Sequence, residues 1–415
     1  MSVRCVARVF FPLDEELQLL PGRGSPYLHE ALIRLGTWLP FGRVPAELAF
    51  FCRTTISAET ARRVTEEAGA VLEATQTAAV ERLERELPEP PPGPAIQQLS
   101  VDGAMVPLVR GEWTEVKTLA LGTVGRRVTR EGKEVVQTTD LTYFSRSLEA
   151  AAFGRLATIA THAGGTARAE VVCAVGDGAE WIQGFIDLHR PDAVRILDLP
   201  HVLEHLATVA HAVYGATSPV ATTWLDAQTT ELLERGPTTV LAAVLALATE
   251  PTASAETQEI CQRVHAYLSK RQEHLAYPTF RTAGYPIGDG AVESANKLVV
   301  QARLKGSGMH WERHNVNPML SLRTSVCSDQ WQSDWLLIAG GLRQQETAQR
   351  KARRQARHAL PDPAGPVPLP PALPSAPPTT PPRDKLVVDG RPTADHPWRT
   401  FRLSGPRTFQ PAAKP

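Results

Sequence analysis

Residues 169–178 read AEVVCAVGDG, a short apolar run that ends in a Gly-Asp-Gly turn. A run so uniformly apolar suits a strand covered on both faces of a sheet. Three β-rich stretches precede it: LSVDGAMV (99–106), EVKTLALGTV (115–124) and DLTYFSRS (140–147), the last followed by a helical segment to about Thr161. After it, WIQGFIDLH reads as a short helix and AVRILDL (193–199) as a further strand. The order β-β-β-α-β-α-β implies an antiparallel meander followed by parallel crossovers in one mixed sheet, an α/β fold.

The flanks are of different character. Residues 1–88 form a helical N-terminal region, in which VPAELAFFCRTTISAETARRVTEEAG reads as two helices around a short turn. Ser57 is placed to cap the second of them, Glu59 lies in its first turn, and Ala61, Val64 and Ala68 make its apolar stripe. That outline fits a helix-turn-helix over residues 45–70, and equally an ordinary helical hairpin. EPPPGPAIQQ (89–98) is a Pro-rich linker. The sheet segment spans 99–201, a helical insertion without strand character spans 202–284, and helical sequence returns over 285–358. Of the 35 prolines, 16 fall after residue 360, so 359–415 is expected to be a disordered tail.

At 415 residues with 42% hydrophobic and 21% charged content, the chain has the composition of a globular protein with more than one core. Five cysteines, none in a Cys-x-x-Cys pair, argue against a zinc ribbon or a disulfide framework. No apolar run approaches the ~18 residues of a membrane span. The opening MSVRCVARVFFPLDEE turns acidic too early for a signal peptide, so a cytoplasmic location is expected. The formal net charge is zero, yet residues 294–358 carry eleven Lys/Arg against four acids. A basic region of that kind can hold phosphates, or it can be a solvated helix face.

The carboxylates carry the chemistry. Asp102 interrupts the first strand's apolar positions, where it is poorly placed unless paired or bound to metal. Asp177 ends the fourth strand, and if strands one and four are neighbours the two side chains project together. A divalent cation is a common way to keep two adjacent carboxylates ionised. Glu293, one turn into the helix that begins in YPIGDGAVESANK (285–297), adds a third carboxylate. Three such ligands suit two Mg²⁺ or Mn²⁺ ions and phosphoryl transfer. Asp289, just before that helix, reads as its cap. A competing motif is His201-Val-Leu-Glu204-His205, which matches the HxxEH of zinc peptidases but leaves the acidic residues unexplained.

Residues 99–335 resemble the insertion-sequence transposases of the Kra group, in the Mutator-like DDE superfamily. The matching segments are VDGAMVPLVRGEWTEVKTLALG, VVCAVGDGAEWI, ILDLPHVLEHL and GDGAVESANKLVVQARLKGSGMHW, continuing through LSLRTS and Trp331. The resemblance implies an RNase H-like catalytic core interrupted by the helical insertion, with Asp102, Asp177 and Glu293 as the catalytic triad and its metal ligands. It matches Asp198-Leu-Pro-His201 to the family's (C/D)xxH motif, which makes Asp198 and His201 supporting or strand-contacting residues; the alternative for Asp198 is a helix cap. Lys297, Arg303, Lys305 and Trp311 are expected to support the site or contact DNA, although such a Trp is more often a core residue. The partners implied are the element's terminal inverted repeats, target DNA and further copies of the chain in a synaptic complex, in a bacterial cytoplasm. The relatives' N-terminal cysteine-rich zinc stretch is reduced here to Cys5, which leaves the 45–70 segment as the candidate for end recognition. The rival readings are an inactive or domesticated DNA-binding derivative and the zinc peptidase.

Overall fold

Ser25 opens the first helix, α1 (Pro26–Trp38): its hydroxyl accepts from the Leu28 N–H, and Pro26 sits where no intrahelical donor is needed. The computed structural model describes residues 25–128, 131–132, 134–359, 387–388 and 391–392. The segment FFPLDEEL with Cys5, and nearly all of the Pro-rich tail, lie outside the described residues. The chain divides into two units after Ala352. In the second, residues Val387–Val388 (β6) and Arg391–Pro392 (β7) pair antiparallel. Among the described residues no helix is long and apolar enough to cross a membrane.

α2 (Val44–Cys52) and α3 (Ala58–Glu86) follow α1, joined through Arg53 in a left-handed conformation at φ 53°. Ser57 caps α3 as its position predicts, accepting from the Thr60 N–H at 3.1 Å. Ala61 and Ala68 are fully buried and Val64 packs beside them. α3 runs 29 residues, however, far beyond a recognition helix, and its face from Ala61 to Leu72 is buried. Gly69 is needed there: a Cβ would meet the Pro318 carbonyl oxygen at 2.5 Å. On the open side Arg62 pairs with Glu59 and Glu66, and Arg63 with Glu67. Arg62 and Arg63 are thus taken up by ion pairs on the helix itself, and the apolar stripe of α3 builds the protein's own core.

Five strands form the central sheet: β1 (Ile96–Pro107), β2 (Trp113–Val128), β3 (Glu134–Arg146), β4 (Val171–Gly176) and β5 (Val194–Leu197). Their order is β3-β2-β1-β4-β5, with β1–β2 and β2–β3 antiparallel and β1–β4 and β4–β5 parallel. This is the mixed sheet expected from the sequence. β3 begins six residues earlier than the sequence suggests, because residues 134–139 (EVVQTT) pair with the end of β2. A register shift at Leu121/Thr123 kinks the ribbon there.

Alternation sorts the side chains onto two faces. Leu99, Val101, Leu119, Leu121, Val172 and Ala174 pack on α4 (Ala150–Ala163) and α5 (Glu180–His189) through Phe153, Ala157, Ile182, Phe185 and Ile186. The opposite face is divided. Cys173 and Val175 meet the insertion: α6 (Leu199–Tyr214), α7 (Pro219–Glu234), α8 (Pro237–Ala248), α9 (Ala255–Ser269) and α10 (Tyr277–Ala283). Ala104, Val106 and Val116 meet the helix that follows.

That helix starts as α11 (Gly290–Ala295), widens to a π-helical segment over Asn296–Gln301 and ends as α12 (Ala302–Leu304). α13 (Arg313–Cys327) and α14 (Trp331–Ala359) complete the chain's described helices. One buried arginine locks the widened turn, and a second ties the end of this helix to α1. Arg323 donates from Nε to the Val299 carbonyl at 3.1 Å, from Nη2 to the Leu298 carbonyl and from Nη1 to the Thr37 carbonyl at 3.3 Å. Arg303 donates to the Gly36 carbonyl twice at 3.1 Å. A π turn disturbs the regular i→i−4 ladder, and here a guanidinium takes two of the carbonyls in that turn.

Candidate active site

β1 and β4 pair in parallel with Ser100 opposite Val175. Carried two residues on, the same register sets Asp177 opposite Asp102. Both fall on the sheet face shared by the insertion and α11. Strand geometry thus brings together the two carboxylates expected from the sequence. The Asp102 carboxylate is held at both oxygens: Oδ1 accepts from the Gly103 N–H at 2.7 Å, and Oδ2 from Asn296 Nδ2 at 2.7 Å. Burial, with the Asp177 charge beside it, raises the Asp102 carboxyl above the usual carboxylate range, even though both hydrogen bonds pull it down.

Asp177 sits in a turn that the insertion grips. Its Oδ1 accepts from the Ala179 N–H at 2.9 Å, and its backbone carbonyl accepts from the Tyr267 hydroxyl. Arg271 donates twice to the Gly178 carbonyl, at 2.9 and 3.2 Å, and lies 4.0 Å from the centre of the Tyr267 ring. Gly178 has φ 77°, and a Cβ there would meet Arg271 Nε at 2.6 Å. The helical insertion therefore fixes the second aspartate.

Asp198 is 4% exposed and does two jobs. Its Oδ2 accepts from the His201 N–H at 3.0 Å, capping α6, and its Oδ1 accepts from the Asp289 N–H at 2.8 Å. It thereby ties the entry of the insertion to its exit. Asp289 occupies the cap position of α11, but its side chain makes no capping bond, which corrects the expectation of a helix cap. Its carboxyl instead faces Asp198. Burial first, then the charges of Asp198, Asp102 and Glu293, push it up to about 7.

A carboxyl raised in the folded state binds a proton the unfolded chain has already released. Stability then falls as pH rises between the unfolded value near 4 and the folded value near 7. The metal-free protein is expected to be less stable at pH 8 than at pH 5, by at most a few kcal/mol. Asp289→Asn should flatten most of that slope in urea titrations across pH; an unchanged slope would remove Asp289 as its source.

Glu293 stands differently from the two aspartates. It is exposed and accepts from Lys297 Nζ at 2.5 Å, one turn along the same helix. Among the described residues no three His, Cys, Asp or Glu side chains group closely enough to cage a metal. The strands assemble Asp102 and Asp177; the helix brings Glu293 near Asp289 without joining it to them. The HxxEH pair is closer to hand, with His201 and His205 Nε2 atoms 3.2 Å apart, but Glu204 points to solvent at 81% side-chain exposure. Tyr267 stacks against His205 at 4.4 Å, which makes the two histidines part of the wall behind Asp177.

Of the expected strand contacts, Lys297 and Lys305 are not buried. Arg303 and Trp311 are packed in the interior, which for Trp311 is the core placement the sequence favoured. Arg303 is 2% exposed, lies over Phe41 and Trp311, and is lowered by burial to about 10. Trp311 is 6% exposed and donates its indole N–H to the Leu304 carbonyl. An exposed aromatic that does stand beside one of these lysines is Trp113, at 52%, with Lys305 Nζ 5.8 Å from its ring centre. Asn296, Tyr267, Arg271 and Trp113 do not stand out in the sequence. Asn296 is recoverable from it, since it lies one helical turn from Glu293. Nothing local marks Tyr267 or Arg271, which act across 90 residues of sequence or more.

The donor set fits a hard divalent cation. Burial and the Asp177 charge push Asp102 towards protonation, and a cation between the two carboxylates would reverse that. Mg²⁺ needs only one or two protein carboxylates, with water and substrate oxygens completing its shell. Compared with known protein families and with curated proteins, the sequence matches none.

Proposed function

We propose that this chain is a DNA transposase of the DDE type, which cuts at the ends of a mobile element and joins the freed 3′-OH to target DNA. The observation that carries the reading is the pairing of Asp102 and Asp177 across β1 and β4. An RNase H-like assignment of the core is supported by the β1–β2–β3 meander, the parallel β4 and β5 and the second carboxylate at the end of strand four.

In this reading Asp102 and Asp177 hold Mg²⁺ or Mn²⁺, and Glu293 completes the site for a second ion. The ions supply charge neutralisation at the scissile phosphate and lower the pKa of the attacking hydroxyl. The protein's share is positioning. Gly103 and Asn296 fix Asp102, and the insertion fixes the Asp177 turn through Tyr267 and Arg271. Lys297 is the exchangeable element: a backbone phosphate competing for its ammonium frees Glu293 to turn towards the aspartates. Exposed ion pairs of this kind are worth at most about 1 kcal/mol, so a phosphate contact can replace one. Trp113 with Lys305 offers a stacking face beside a cation for an unpaired base.

The test is incubation of the full chain with labelled DNA carrying the sequences that flank its gene, in Mg²⁺ or Mn²⁺. Metal-dependent nicking at a fixed position, lost in Glu293→Gln, is expected. Nicking that survives Glu293→Gln would sink the proposed triad. Binding without nicking would turn the reading to an inactive DNA-binding derivative.

A further inference from the structure

Asn296 is a buried amide with half of its capacity unused. It is 4% exposed; Nδ2 donates to Asp102, and Oδ1 is buried without a partner. An unpaired buried acceptor costs about 1–3 kcal/mol. A residue kept only for packing needs no such group at this place. Its neighbours Val292, Ala295, Val299 and Val300 are fully buried and apolar. Asn296 also opens the π-helical segment, whose wider turn changes the register of the side chains that follow it. Such segments recur at functional sites.

We infer that Asn296 is a positioning residue for the metal-binding carboxylate Asp102. An aspartate has few rotatable bonds but two equivalent oxygens, and a free carboxylate spins between them. With Gly103 N–H on Oδ1 and the Asn296 amide on Oδ2, that rotation is stopped. Each oxygen keeps a lone pair for a cation. Neither a cationic nor an apolar side chain would serve as well here. A cationic group would neutralise Asp102 and compete with the metal, and an apolar one would leave Oδ2 free to turn. Asn296 and Glu293 share one helical turn, so this contact also sets the height of the Glu293 helix over β1. The inference rests on the metal site proposed above.

The experiment uses Mn²⁺ alone, with the full chain and no DNA, titrated by electron paramagnetic resonance. Wild type is compared with Asn296→Leu, Asn296→Ser and Asp102→Asn. Wild type should bind Mn²⁺, and Asp102→Asn should abolish that binding. Asn296→Leu should bind about 10–100-fold more weakly, the range for losing a hydrogen-bonding partner of a ligand. Its melting temperature should change little, since the orphaned Asn296 acceptor is gone while Asp102 Oδ2 loses its donor. Asn296→Ser retains a donor too short to span the gap and should be weakened alike; it carries the test if the leucine variant does not fold. Mn²⁺ affinities of both variants within about twofold of wild type would overturn the positioning role and leave the metal site standing. Wild-type Mn²⁺ binding that is absent or indifferent to Asp102→Asn would overturn the site itself, and this role with it.

Discussion

Asp102→Asn should reduce metal-dependent DNA cleavage by at least about 10³-fold, the upper range for removing one preorganised electrostatic group. The same change should leave the metal-free protein as stable as wild type or more so. Both expectations follow from one fact: burial and the Asp177 charge raise the Asp102 carboxyl above its ordinary range. The fold therefore works against the ionised form, and a neutral isostere relieves it. A buried carboxylate that costs stability makes physical sense where a cation restores the balance. Melting curves in chelator and initial cleavage rates in Mn²⁺ check the two halves. A variant that is much less stable than wild type, or that still cleaves, would contradict the account.

The largest stability loss is expected at Arg323, although its side chain bonds to neither carboxylate of the proposed site. Its side chain is fully buried, 4.3 Å from the Trp38 ring centre, and satisfies the carbonyls of Leu298, Val299 and Thr37. No carboxylate pairs with it among the described residues. Arg323→Leu would leave three carbonyls without donors in the interior, at roughly 1–3 kcal/mol each. A total of about 3–5 kcal/mol is expected, given some relaxation towards water. Arg63→Ala, which breaks the exposed pair with Glu67, should cost under about 1 kcal/mol. The urea midpoints of the two variants decide this directly. The Arg323 change should also depress cleavage, because the π-helical segment it clamps begins at Asn296.

Much of the sheet is legible in the sequence because each strand contains an apolar run. The limits of β3 are not, since residues 134–139 (EVVQTT) are largely exposed with only two apolar side chains among them, and they are strand only by pairing with β2. The helix-turn-helix outline shows the opposite case. Ser57, Ala61 and Ala68 do mark the cap and the apolar stripe, yet a stripe records only that a face is covered. The length of α3 and the close approach of Gly69 to Pro318 show that the cover is the protein's own α13. For Arg303, charge points outward in the sequence. Folding places it against Trp311, where a guanidinium over rings and a carbonyl at Gly36 replace solvent.

The sequence by itself determined which residues were candidates: an aspartate inside a strand, a second at the end of the apolar run 169–178, a glutamate at the start of a helix. It determined the strand order along the chain and the place of the helical insertion. Only the tertiary structure decided which carboxylates meet. Parallel pairing of β1 with β4 sets Asp102 beside Asp177, while Glu293 rests on Lys297 and Asp289 is turned to Asp198. Local pattern reports the period and polarity of a segment, because those depend on nearest neighbours in the chain. Proximity across 75 or 194 residues depends on register and packing, and these exist only once the sheet has closed.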